Sequence, residues 1–185
     1  CDNTLQVDSA CDDGSPLIGS LDYNVTDVLF HNNKLFISNP TDEYFSINLY
    51  HYDPIGEEIS LKNNMITEKI INTVYAYSDY MLVGMKEGGC YITLLTDDSN
   101  DIENSNILSI AEGFTIYDIF YDEILDKLIL SAGAKGVLVY DWDGVSPNFN
   151  FDFRLLSSYA YTARIYNNLI LVATKNGLEI FNSEE

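Results

Sequence analysis

The sequence predicts an all-β chain built from four copies of one sheet-forming unit. Three observations carry this. Apolar triplets recur at Leu35 (LFI), Met81 (MLV), Leu128 (LIL) and Leu169 (LIL), spaced 46, 47 and 41 residues apart. Each follows an alternating segment that ends in a polar turn, and each leads through a second turn into another apolar run. The runs are too short for helices and are bounded by turn formers, which favours buried strands. A period in the forties with about four strands per unit is the pattern of a propeller blade, so the expected architecture is a β-propeller-type array of four blades.

Taken in order, residues 1–15 (CDNTLQVDSACDDGS) are polar and acidic, as suits a tether. Residues 16–185 form the repeat domain, with units at roughly 24–61, 70–110, 114–156 and 160–182. The first has its turn at Asn32-Asn33 and a reversal at Asp53-Pro54-Ile55-Gly56. The second turns at Gly88-Gly89, the third at Ala134-Lys135-Gly136 and the fourth at Lys175-Asn176-Gly177. A fourth strand follows in the first three units, at Glu58 to Leu61, Ile107 to Ile110 and Phe149 to Leu156. After the fourth unit no such run remains, whereas a spare strand-like segment precedes the first, at residues 16–21. Its Leu17, Ile18 and Leu21 are expected to complete the last blade, in the same chain or in a neighbouring subunit. The least improbable helix is a turn or two near Ser99 to Asn106.

Of 185 residues, 29 are Asp or Glu and 9 are Lys or Arg, a formal charge of −20. Nucleic-acid affinity rests on clustered cations, so nucleic-acid binding is not expected. The same charge disfavours adsorption to anionic lipid headgroups. No apolar window is long enough for a membrane-spanning helix. The bland reading of the acidic balance is solubility. The sharper one is that acidic loops bind a divalent cation or a basic partner.

Three cysteines occur, at 1, 11 and 90. A chain beginning at Cys with a polar lead-in looks like a mature bacterial lipoprotein, its lipid attached to Cys1. Cys11 and Cys90 are then free to form a disulfide in an oxidising envelope. His31 and His51 have no second ligand at metal spacing. Asp97, Asp98 and Asp101 lie in the most acidic run, and Asp141 and Asp143 form an Asp-x-Asp-Gly segment; both are weak calcium candidates, with solvated loop and plain turn as the competing readings. Trp142 packs over a strand edge or sits on an interaction face. Arg164 pairs with an inward acid, lines the axis, or is a surface charge.

The repeated core resembles the LVIVD-repeat family of β-propellers, through Leu128 to Asp141 (LILSAGAKGVLVYD) and Leu169 to Asn182 (LILVATKNGLEIFN). That resemblance implies a secreted or cell-surface protein, often a lipoprotein, with no catalytic residues to carry over. Family members usually have more blades, so four copies imply a small closed ring, half of a dimeric one, or a subunit joined to neighbours by strand exchange.

No Gly-x-Ser-x-Gly, His-Glu-x-x-His, phosphate loop or dinucleotide fingerprint occurs. The expected function is therefore a non-enzymatic module of the bacterial outer membrane or cell surface, lipid-anchored and binding another envelope protein or copies of itself. The alternative is a propeller hydrolase or lactonase that uses calcium. No other cofactor is expected.

Overall fold

The computed structural model describes residues 25–32, 34–40, 45–53, 58–95 and 108–183, and among these there is no helix. They form fifteen strands in four antiparallel sheets that follow chain order. The first sheet holds β1 (Asp27–His31), β2 (Lys34–Pro40), β3 (Phe45–Asp53) and β4 (Glu58–Thr67). The second holds β5 (Ile71–Tyr77), β6 (Tyr80–Met85), β7 (Gly89–Leu94) and β8 (Leu108–Ile110). The third holds β9 (Asp118–Asp122), β10 (Lys127–Ser131), β11 (Val137–Asp141) and β12 (Asn150–Leu155). The fourth has three strands, β13 (Ala160–Tyr166), β14 (Leu169–Thr174) and β15 (Gly177–Asn182). Residues 16–21 and the Ser99 to Asn106 stretch lie outside the described residues.

Each sheet is a meander joined by tight turns. Asn32, Asp126 and Asn168 adopt positive φ between the first two strands, as Asn and Asp tolerate. Gly89, Gly136 and Gly177, with φ of 77°, 83° and 120°, open the third strand of the last three sheets. The glycine turns read from the sequence are thus one structural position, repeated. β4 is longer than the Glu58 to Leu61 run, because its alternation continues through Asn64, Met65 and Ile66.

The sheets pack face to face in sequence, and the closest approaches are made by their first two strands: β1 and β2 on β5, β5 and β6 on β9, β9 and β10 on β13. Three apolar cores fill the spaces between them. Phe36, Ile47 and Leu49 meet Met81, Val83 and Val74. Leu82, Cys90 and Ile92 meet Leu128, Leu130 and Leu138. Ile129, Val137 and Val139 meet Ile170, Val172 and Ala163. Each sheet is therefore apolar on both faces, which explains its continuous apolar triplets. Among the described residues, the first and fourth sheets make no comparable approach to each other.

In the fourth unit the anchor position shifts by one residue. Leu128 pairs with Tyr121 and Tyr140 and is fully buried. The residue in that place is Ile170, which pairs with Ile165 and Phe181 and is also fully buried. Leu169 is 41 % exposed. Leu169 opens β14 where Lys34, Tyr80 and Lys127 open β2, β6 and β10, so the buried second position falls to Ile170, and neighbours along a strand face opposite sides.

Candidate interaction surface

The repeat register defines equivalent positions on each sheet. On the face turned to the following sheet, Phe36 pairs with Leu49, Leu82 with Ile92, Ile129 with Val139, and Leu171 with Ile180. Beside them stand Ile47, Cys90, Val137 and Leu178, paired with Ser38, Gly84, Ser131 and Ala173. In the first three sheets every one of these apolar residues is at most 2 % exposed. In the fourth, Leu178 is 63 % and Ile180 57 % exposed.

The opposite end is also incomplete. On the face turned to the preceding sheet, Val28, Val74, Ile119 and Ala163 are equivalent, paired with Ile37, Val83, Leu130 and Val172. Val74, Ile119 and Ala163 are buried, whereas Val28 is 56 % exposed, with Phe30 beside it also exposed. Ile37 and Tyr50, on the same face of the first sheet, are already buried. Val28 and Phe30 at one end, and Leu178 and Ile180 at the other, thus hold register positions whose equivalents in the internal sheets are covered by a neighbouring sheet.

Polar ties along the first strand of each sheet hold neighbouring sheets in register. The Val74 amide donates to Asp27 Oδ2 at 2.7 Å, and Thr26 Oγ1 donates to the Ile71 carbonyl at 3.0 Å. Asn72 Nδ2 donates to the Ile116 carbonyl at 3.0 Å. Asp118 Oδ2 accepts from Thr162 Oγ1 at 2.6 Å and from Arg164 Nη1, whose guanidinium lies 5.0 Å from the Phe120 ring centre. Arg164 therefore pairs with an acid of the preceding sheet, while its own side chain stays 49 % exposed. The hydroxyls of Tyr117 and Tyr159 meet at 2.6 Å. Apart from the Arg164 pair, the sequence signals these ties only through the matching segments Val25-Thr26-Asp27-Val28 and Ile116-Tyr117-Asp118-Ile119.

Other expected site residues fall differently. Trp142 is 1 % exposed, ringed by Tyr77, Tyr80, Tyr121 and Phe149, with its Nε1 donating to the Ser146 carbonyl at 2.8 Å. It is a core residue, so neither an edge nor an interaction face holds it. Cys90 is a free thiol inside the second core, and burial pushes it well above the usual thiol range. Its expected partner Cys11 lies outside the described residues, as does Cys1. Asp141 is bound by Lys127, which also reaches Asp152. Asp143 Oδ1 accepts from the Ser146 and Val145 amides and the Ser146 hydroxyl, as a turn cap does. The Ser146 amide, foremost, holds its carboxyl below the usual range.

A cleft of about 360 Å³ runs past Asp126, Asp141, Asp143, Asn148 and Asn150. Among the described residues no three acidic, His or Cys side chains are placed to share a metal ion. Asp97, Asp98 and Asp101, like Leu17, Ile18 and Leu21, are outside the described residues. His31 Nε2 lies 2.9 Å from the Ser78 carbonyl, at a strand end. No helix among the described residues is long and apolar enough to cross a membrane.

The fold is one found in solved structures. The chain is similar to the computationally designed Ika4 protein, with a TM-score of 0.63 and 11 % identity over 88 % of this chain and 93 % of that one. It is similar to the designed Ika8 protein, with a TM-score of 0.59 and 12 % identity over 90 % of this chain and 48 % of that one. The AfRom2 CNH domain gives a TM-score of 0.59 and 11 % identity over 90 % of this chain and 52 % of that one. The chain thus spans about half the length of these last two. No family model matches it, and no curated protein does.

Proposed function

We propose that this chain is a non-enzymatic binding and assembly module of a bacterial envelope, held at the membrane by a lipid on Cys1 and related to the LVIVD-repeat propellers. In this reading the four sheets are propeller blades, and the fourth blade takes its missing strand from residues 16–21 of its own chain or a neighbour.

The observation that carries the reading is Gly177. A Cβ on Gly89 would strike the Ile110 carbonyl at the end of β8, and one on Gly136 would strike the Leu155 carbonyl at the end of β12. In those sheets the turn glycine lets the fourth strand lie against the third. Gly177 holds the same place with nothing within 4 Å. Among the described residues β15 pairs on one side only, and such an edge is the form of surface that accepts an added strand.

The test places one cysteine at Ile180 and another in turn at Leu17, Ile18 and Leu21, with Cys11 changed to Ser. At least one pair is expected to bond on mild oxidation, and failure of all three overturns the strand reading. The N-terminal peptide of membrane-extracted protein is expected to carry acyl mass on Cys1; an unmodified Cys1 overturns the anchor.

A further inference from the structure

We infer that the partner of this module is a second copy of the same chain, docked head to tail. The exposed Leu178 and Ile180 of the fourth sheet in one copy cover the exposed Val28 and Phe30 of the first sheet in the other, and reciprocally. The inference rests on the assembly reading above and names its partner.

The contact is a continuation of one the molecule already makes three times. Leu171, Leu178 and Ile180 occupy the positions of Ile129, Val137 and Val139, which in the third sheet are buried against Ala163 and Ile165 of the next. Val28 and Phe30 occupy the positions of Ala163 and Ile165. The exposed residues at both ends are therefore apolar and hold register positions that meet at each internal contact. Such a contact is heterologous, and it leaves no free end only if a closed number of copies completes the ring. Two copies are indicated because this four-sheet array matches about half of each of two longer single chains, at TM-scores of 0.59. The chain's own charge of −20 opposes association, so the apolar contact must outweigh like-charge repulsion between copies.

The full chain carrying Cys1→Ser, to keep it free of lipid, is measured by light scattering across a dilution series. The expected mass is twice that of the 20.9 kDa chain. Ile180→Asp and Phe30→Asp, each at an exposed position of the single chain, are each expected to weaken association more than tenfold by burying an uncompensated charge. Circular dichroism of the dissociated variants should match that of the parent chain. Mixing them restores one intact contact, between Ile180 of one variant and Phe30 of the other, and is expected to restore a two-chain species. A single-chain mass at every concentration overturns the inference, and so does an open-ended series of larger species. If the mass is that of one chain while the cysteine pairs above still bond, the strand reading stands and only the second copy falls.

Discussion

Gly136 sits under the Leu155 carbonyl so closely that a methyl group at its Cα would lie 2.0 Å from that oxygen. Gly113, at a similar φ of 79° against 83°, has nothing within 4 Å. The pair separates backbone strain from crowding. Gly113→Ala is expected to cost about 1 kcal/mol from the left-handed backbone alone. Gly136→Ala is expected to cost about 1–3 kcal/mol more, because the fourth strand must move away. Denaturant unfolding of both variants checks this, and equal losses would show that β12 does not press on the turn.

Trp142 is the sole tryptophan and is buried among four aromatic rings. Its fluorescence is expected to be blue-shifted in the native protein and to move red on unfolding. Trp142→Ala is expected to cost about 3–5 kcal/mol. Trp142→Phe should cost less but also lose the bond to the Ser146 carbonyl, a further ~1 kcal/mol. A native spectrum already at the solvent-exposed wavelength would contradict this packing.

Cys90 is expected to resist alkylation at neutral pH until the chain unfolds, since the thiolate is the reactive form and burial disfavours it. Its raised value in the folded state means that its stabilising contribution is complete below the ordinary thiol value of 9.0 and declines as pH rises above it. Comparing the parent chain with Cys90→Ala across that range should show the stability difference narrowing toward alkaline pH. Rapid native labelling of Cys90 would contradict its place in the core.

Asp143 has the opposite sign. Its carboxyl is held below the ordinary carboxylate value of 3.8 by the Ser146 and Val145 amides, so the turn cap is at full strength above that value and fails as pH falls through the lowered one. The unfolding midpoint of Asp143→Ala should lie below that of the parent at neutral pH and converge with it in acid. A difference unchanged by pH would mean that the charge plays no part in the cap.

Much of the fold was legible because the strands are short, apolar and punctuated by turn formers. Leu35, Met81 and Leu128 mark three equivalent positions, and the glycines before Cys90, Val137 and Leu178 mark another. The fourth anchor was misread by one residue, since Leu169 and Ile170 are both apolar and only pairing tells which is inward. Trp142 was undecided because a strand-end aromatic does not reveal its neighbours, and these come from two sheets. The ties from Asp27 and Asp118 join residues more than forty positions apart, a separation that periodicity within one unit does not report. That the fourth sheet holds three strands among the described residues matches the sequence, where no fourth apolar run follows Asn182. That its apolar face is exposed while its equivalents are buried required the register.

Hydrogen exchange of β15 bears directly on whether the fourth sheet is completed in the working protein. In a sheet of three strands, alternate amides of Gly177–Asn182 face the open edge and exchange quickly, whereas a paired fourth strand protects them. The fragment spanning residues 177–182 is expected to be as protected as that spanning residues 137–141. Exchange of about half its amides at the rate of an open edge would contradict the proposal that this sheet receives a strand.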